Sequence, residues 1–309
     1  MLTKLYNKSS FLLIVFSNLF LACIIYFKVI ENYNSPLTQG KLYYLFFFVA
    51  LIGFYNYLNS FMINQSASKD FNVLERSSIH LFIFPAVLSF MPHEIINFRW
   101  IIGALLLFMA FTKFLKTPDL DKESLLKIGI QMSVSIILIP YFFAYTILII
   151  ILFIPIGKFK LSNLFVVIMP IVVSGSLALT IKTFFLIDVA FYEFLNKKEN
   201  FYFLDAKGLE GKFLIILVFT SVLTFVFAKT IELSKLERNS HYLRIGIFAT
   251  HLILVYFINK QEAMILILPS TVYGLSLFHR RLKKTLFAEA FLLVLLFFSI
   301  FNTFPFLFP

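Results

Sequence analysis

The stretch that decides the fold is residues 124–160, SLLKIGIQMSVSIILIPYFFAYTILIIILFIPIGKFK. Two apolar runs, 124–139 and 141–157, meet at Pro140 with no charged residue at their junction. Apolar runs of about 17 to 25 residues predict membrane-spanning helices, and a proline between them predicts a break. The sequence therefore predicts either a tight hairpin of two membrane-spanning helices or one broken helix followed by a membrane-spanning helix.

Apolar residues predominate in the rest of the chain as well. It has 309 residues, of which 60% are hydrophobic and 14% charged, with 43 Phe and a mean hydropathy of +0.91. A soluble protein carries about 25% charged residues, so the composition excludes an ordinary soluble domain, disorder and a coiled coil. The single cysteine, Cys23, excludes an internal disulfide.

The sequence predicts an all-α fold, a polytopic integral membrane helix bundle with about eleven transmembrane segments. The expected segments are 11–27, 42–63, 79–91, 95–111, 124–139, 141–157, 164–187, 213–230, 244–258, 263–278 and 285–303. Segment 79–91 is short and contains Pro85, so it is a candidate re-entrant segment. We expect residues 1–309 to form a single transmembrane domain.

Basic residues predict the orientation. An N-terminus placed inside assigns these loops to the inner side: 1–10, 64–78, 112–127, 158–163, 229–244 and 279–284. They hold 18 of the 27 Lys and Arg residues, as the positive-inside rule requires. Eleven segments then give an N-in/C-out topology, and the hairpin at Pro140 is retained because it keeps the cluster 279–284, HRRLKK, inside. The net charge of +11 thus indicates topology, and we expect no nucleic-acid partner.

The longest predicted external loop is 188–212, which mixes five carboxylates and four lysines with aromatic residues. Alternation of this kind is typical of an amphipathic segment in the lipid headgroup layer. It is either a simple connector or a lid over a lipid-facing cavity. Residues 213–309 are expected to form the C-terminal helices.

Four charged residues on the predicted outer side are candidate site residues. Glu31 lies in loop 28–41 and Glu94 in the sequence PHEIINFRW at 92–100; both are candidate catalytic carboxylates. Arg99 and Lys182 lie at the outer ends of apolar segments, where a cation either extends to the headgroups or meets an anion such as a lipid phosphate.

Two polar residues inside predicted spans, His251 and Gln131, form a candidate polar relay, although interhelical hydrogen bonding is the simpler interpretation of each. The sequence HEIIN at 93–97 lacks the second histidine of a zinc protease motif, and the five histidines are scattered. No phosphate-binding loop is present. We therefore expect no metal and no other cofactor.

The order of features that begins in residues 98–157 resembles a known layout. FRWIIGALLLFMAF at 98–111 is followed by a basic inner loop and then by the stretch 124–160. This resembles an uncharacterised family of inner-membrane proteins of Bacteroidetes, which implies a location in the bacterial inner (cytoplasmic) membrane. It is more distantly similar to the membrane module of polyprenyl-phosphate-dependent glycosyltransferases of the GT-C fold.

The second resemblance implies a GT-C-like module at 1–187, with Glu31 as the carboxylate of the first external loop and Glu94 as a second. Arg99 and Lys182 would hold the phosphate of the lipid carrier. The chain departs from the family in having one Glu where an acidic pair is usual, and it lacks the soluble domain that many members carry.

Three functions follow as hypotheses. The first is a non-catalytic partner or assembly subunit of an envelope-biogenesis, secretion or gliding machine, which implies a protein partner in the inner membrane. The second is a GT-C-like glycosyltransferase that uses a polyprenyl-phosphate-linked sugar at the periplasmic face. The third is a lipid or solute transporter. All three imply contact with membrane lipids.

Overall fold

The computed structural model describes residues 11–33, 39–65, 79–116, 121–153, 161–185, 209–227, 235–258, 261–282 and 285–303. These residues contain eleven α-helices and no strand, which confirms the all-α prediction for this part of the chain. The helices are α1 (Phe11–Tyr33), α2 (Gln39–Gln65), α3 (Ile79–Ser89), α4 (Phe98–Lys116), α5 (Lys122–Leu138), α6 (Ala144–Phe153), α7 (Leu161–Phe185), α8 (Leu209–Val226), α9 (Lys235–Ile258), α10 (Ile267–Arg281) and α11 (Thr285–Thr303). Short 3₁₀ segments cover His93–Ile95, Pro140–Phe143 and Gln261–Leu266.

The helices group into two compact units. The first unit holds α1, α2, α3, α8, α10 and α11, and the second holds α4 to α7 and α9. The expectation of a single transmembrane domain, and of a module boundary near residue 187, stays a prediction.

Helix α3 is the centre of the first unit. It packs against α1, α2, α10 and α11, and all but one of its eleven residues are buried. At 1.5 Å per residue it is about 16 Å long, roughly half the thickness of a bilayer core. Segment 79–91 thus contains a helix too short to cross a membrane by itself.

The second unit contains a chain reversal at Pro140. Helix α5 packs against α4, and its Ser135 Oγ donates a hydrogen bond of 2.6 Å to the carbonyl of Gly103 near the start of α4. After Pro140, the ring of Phe142 lies 5.8 Å from that of Trp100, at the first turn of α4. One turn later, the ring of Tyr145 lies 5.6 Å from that of Phe111, eleven residues further along α4. The chain therefore turns back along α4, which favours the hairpin interpretation of 124–157.

Helix α5 begins at a well-defined cap. The Asp121 side chain accepts a hydrogen bond of 3.0 Å from the Ser124 N–H, which satisfies one of the free donors of the first turn. Hydrogen bonds from the side chain and backbone of Ser124 lower the pKa of Asp121. Lys127 pairs with Glu123 across the next turn.

Glycines bring two pairs of helices into close contact. A Cβ atom on Gly129 of α5 would lie 2.6 Å from the carbonyl oxygen of Val167 in α7. A Cβ atom on Gly274 of α10 would lie 2.6 Å from Cβ of Ser221 in α8. Both distances are shorter than any real Cβ contact, so each helix pair approaches this closely only because the residue is glycine.

Two described helical stretches are long and apolar enough to cross a membrane, namely Gln261–His279 and Leu286–Thr303. The first has 78% of its apolar window buried and the second 28%. Shorter apolar helical stretches, of 10 to 17 residues, are Val15–Val29, Leu45–Asn59, Ile79–Ser89, Pro140–Ile151, Leu161–Leu177, Gly211–Thr224 and Arg244–Ile258. Length and composition alone thus support two spans in the part of the chain that is described.

Helices α8 and α11 expose large apolar side chains and bury several hydroxyl side chains. Their buried positions include Ser221, Thr224, Ser299 and Thr303. Their exposed large apolar side chains are Ile216, Phe219, Leu223 and Val226 in α8 and Leu286, Phe287, Leu293, Val294, Phe297 and Phe301 in α11. Helices on the surface of a soluble protein instead expose a polar or charged face.

Candidate functional site

The corner at residues 89–95, which follows α3, collects polar side chains from several parts of the first unit. Helix α3 ends with two tight turns, in which the N–H groups of Phe90 and Met91 donate to carbonyls three residues back, each at 3.2 Å. Pro92 follows and ends the helical pattern. The last carbonyls of a helix have no partner within it, so they need donors from elsewhere.

Two distant helices donate hydrogen bonds to this corner, one to the last residue of α3 and one to a residue just beyond it. The Lys28 ammonium, from α1, donates to the carbonyl of Met91, and the Asn302 Nδ2, from α11, donates at 2.6 Å to the carbonyl of Ser89. Lys28 is only 7% exposed. A cation at the carbonyl end of a helix is favoured by the helix dipole, so the buried charge of Lys28 stabilises the end of α3.

His93 and Glu94 lie in the 3₁₀ turn of the same corner, which packs against α1. The His93 Nε2 lies 3.3 Å from the Glu94 Oε1, and the two side chains are 42% and 36% exposed. Glu94, a predicted catalytic carboxylate, is thus a partly exposed group that interacts with the adjacent histidine.

Arg99 belongs to the second unit, at the start of α4. Its N–H donates at 3.1 Å to the Asn97 Oδ1, which caps the helix, and its side chain is exposed. Glu94 and Arg99 therefore fall in different units.

The remaining external candidates, Glu31 and Lys182, have side chains outside the described residues. The backbone of Glu31 lies elsewhere than predicted, whereas that of Lys182 lies where it was predicted. Helix α1 continues to Tyr33, so Glu31 lies in its last turn rather than in a loop that begins at residue 28. Lys182 lies near the end of α7, as expected. Of the predicted external loop 188–212, residues up to 208 lie outside the described part of the chain.

His251 lies in an aromatic cluster of the second unit. It is 4% exposed, and its ring lies edge-on to Tyr145, with 5.5 Å between the ring centroids. Tyr145 in turn contacts Phe111 and Phe142. This environment favours a packing role for His251.

Gln131, the other predicted relay residue, lies on α5, which packs against α4 and α7, whereas α9, which carries His251, packs against α6. The Gln131 Oε1 is buried and has no hydrogen-bond partner among the described residues. Nothing described joins the two residues into one relay. Within the described ranges, no three His, Cys, Asp or Glu residues lie close enough to hold a metal ion.

Sequence reasoning missed Lys28, Asn302 and Ser221 as structural donors. Ser221 Oγ lies on α8 and donates at 3.1 Å to the Thr271 carbonyl of α10. The sequence carries one signal for Lys28, since it directly follows an apolar run, but a lysine there usually extends to the membrane surface. The others are isolated polar residues in apolar helices, and their partners are set by helix packing.

Comparison with known proteins adds no relative. No family model matches the chain, and neither a curated protein nor a solved structure matches it. The resemblance to inner-membrane proteins of Bacteroidetes and to the GT-C module therefore stays a prediction.

Proposed function

We propose that the chain is a multi-pass protein of the bacterial inner membrane with its N-terminus in the cytoplasm. The arrangement of α8 and α11 supports this, because their exposed faces carry Phe, Leu, Ile and Val, while Ser221, Thr224, Ser299 and Thr303 are buried. Large contiguous apolar surfaces are rare on soluble proteins, but lipid tails solvate them. The two stretches long enough to cross a membrane are consistent with this arrangement.

Contacts within the first unit support the proposed alternation of the segments, because they bring together ends that are expected on the same side. Lys28 meets Met91, and Asn302 meets Ser89. The ring of Phe213 lies 4.7 Å from the ring of Phe90 and 4.7 Å from that of Phe298. All these residues lie at segment ends that the charge pattern assigns to the outer side.

A reporter experiment tests the topology. Alkaline phosphatase, which is active only in the periplasm, is fused after residue 284 in one hybrid protein and after residue 309 in another. We expect activity only from the second fusion. Activity from the first fusion, or from neither, contradicts the eleven-segment N-in/C-out topology.

We further propose that the protein is a non-catalytic partner or assembly subunit of an envelope-biogenesis, secretion or gliding machine. One observation carries this proposal: the polar side chains with described hydrogen bonds to a distant part of the chain serve packing. Four hydrogen bonds between helices, from Lys28, Ser135, Ser221 and Asn302, all end on backbone carbonyls. Such bonds hold helices together and leave the exposed apolar faces for lipid or for a partner.

Purification in a mild detergent tests the assembly role. The tagged chain is expressed at its native level and purified beside an unrelated tagged inner-membrane protein. We expect a partner that remains at a fixed stoichiometry through a second column and is missing from the control. A clean monomer from the same preparation contradicts the proposal.

The corner at 89–95 favours one alternative, a GT-C-like glycosyltransferase acting at the periplasmic face. Glu94 is partly exposed beside His93, and a carboxylate paired with histidine is suited to act as a general base toward an acceptor hydroxyl. Glu94→Gln keeps the size of the side chain and removes the base. Under this alternative it abolishes transfer to cell-surface glycans, as deletion of the gene does, and unchanged glycans in the Glu94→Gln strain contradict it.

A further inference from the structure

Three buried polar side chains of the first unit carry an inference that does not depend on the proposed function. Asn56 and Asn59 lie one turn apart on α2, and Ser17 lies on α1; each is 2% exposed. The Asn56 Oδ1, the Asn59 Nδ2 and the Ser17 Oγ have no hydrogen-bond partner among the described residues. Burial of such atoms without a partner is unfavourable, so native proteins rarely leave them unpaired.

Contacts with α3 place Ser17 along the helix bundle. The ring of Phe20 lies 6.2 Å from that of Phe82, and Lys28 reaches the carbonyl of Met91. Both α1 and α3 advance between these two contacts, so the helices run in the same direction. Ser17 precedes Phe20 by one turn and thus lies level with the first residue of α3, Ile79.

The same reasoning places Asn59. Helices α1 and α2 pack together and are joined by only five residues, so they run antiparallel, and α2 therefore runs antiparallel to α3. The ring of Tyr55 lies 6.1 Å from that of Phe84. Asn59 lies one turn beyond Tyr55 on the same face of α2, which brings it level with the start of α3.

We propose that Ser17, Asn56 and Asn59 form a binding site, the hydroxyl site, for the hydroxyl group of a small neutral molecule. The unpaired atoms are one acceptor (Asn56 Oδ1), one donor (Asn59 Nδ2) and one hydroxyl that is both. An anion satisfies only donors and a cation only acceptors, whereas a hydroxyl group accepts from Asn59 and donates to Asn56. Exchanging O and N in both amides reverses the two roles and still leaves one unpaired donor and one unpaired acceptor, whereas an exchange in one amide alone would leave two like groups.

Water and a small polyol share this chemistry. In both cases the bound group bridges α2 residues one turn apart, with Ser17 as a third partner from α1. Two to four polar partners are the number that a buried water needs.

Replacement of the amides by leucine separates a filled site from a dry one. In a dry site, Asn59→Leu replaces an unpaired amide with an apolar group of similar size and leaves the melting temperature in detergent unchanged or raised. In a filled site, the variant loses the bridge, and we expect the melting temperature to fall by at least about 2 °C. Asn302→Leu removes an amide that has a described hydrogen-bond partner, so its fall in melting temperature shows the effect of losing one such bond.

A glycerol series distinguishes the two sources of the hydroxyl group. Glycerol stabilises proteins in general, so the comparison is between wild type and Asn59→Leu. A larger rise in melting temperature for wild type indicates that a polyol occupies the site, and equal rises beside a destabilised variant indicate water. Leucine variants as stable as wild type overturn the proposal. If Asn59→Leu does not fold, Asn56→Leu and the density between the two amides in an experimental wild-type structure decide the question.

Discussion

Substitution of Gly129 by alanine tests the close crossing of α5 and α7. The new methyl carbon would lie 2.6 Å from the Val167 carbonyl oxygen and 3.0 Å from Pro170 Cγ. The first distance is about 0.8 Å short of the 3.4 Å at which ordinary contact begins. The obstacle is backbone, so a rotamer change of Val167 cannot relieve it, and the helices must separate or shift.

The expected cost follows from overpacking, which typically destabilises a core by about 1–3 kcal/mol. Alanine also has a helix propensity about 1 kcal/mol better than glycine, which offsets part of the cost. Gly175→Ala is the matched control because Gly175 lies in α7 and a Cβ atom there meets nothing within 4 Å. The difference between the two variants isolates overpacking and corresponds to about a 5- to 150-fold change in the unfolding equilibrium constant.

Equilibrium unfolding in mixed micelles, followed by tryptophan fluorescence, measures this difference. The single tryptophan, Trp100, lies in the same unit, against Phe142. We expect Gly129→Ala to unfold at lower denaturant than wild type, and Gly175→Ala at equal or higher denaturant. Equal midpoints for the two alanine variants would falsify the close crossing.

Further variants test the other features. Gly274→Ala should destabilise the protein by overpacking the contact of α10 with Ser221, by about 1–3 kcal/mol relative to the control Gly53→Ala. The control is matched because a Cβ atom on Gly53 meets nothing within 4 Å. Thermal melting in detergent compares the two variants, and equal stabilities contradict the close crossing. Phe297→Arg places a charge on an exposed face of α11. If that face contacts lipid, the free energy of membrane insertion should become less favourable by about 2.5–3.5 kcal/mol, as measured by a glycosylation-based insertion assay. Unchanged insertion contradicts a lipid-facing position. Because its pKa is lowered, Asp121 should stabilise α5 above the usual Asp pKa, and this stabilisation should be lost as the pH falls through the lowered value. Asp121→Ala should therefore lower the melting temperature at pH 7 and remove that pH dependence, whereas Asp121→Asn should keep the cap; an unchanged pH profile in Asp121→Ala counts against this role.

The sequence predicted the helical class and the approximate positions of the helices. Apolar runs separated by charged loops are local features, so a single chain displays them directly. The break at Pro140 is of this kind, because proline disrupts a helix wherever it stands. The end of α1 was predicted six residues too early, since residues 28–33 are more polar than the run before them and the helix continues nonetheless.

The site was predicted less well. Glu94 is partly exposed at the corner after α3, Arg99 belongs to the other compact unit, and His251 packs against the ring of Tyr145. The sequence shows which residues are polar in an apolar segment. It does not show which of them meet.

What the sequence by itself determined is the arrangement along the chain: the helical class, the segment order and the loops in which positive charge is concentrated. Only the tertiary structure decided that Lys28 and Asn302 complete the end of α3, that Gly129 and Gly274 set two helix crossings, and that Asn56 and Asn59 are buried on α2. The physical reason is that a helix apolar on every face carries no stripe that marks its neighbours. Its partners are chosen by shape and by single hydrogen bonds between residues far apart in the chain, such as Asn302 and Ser89.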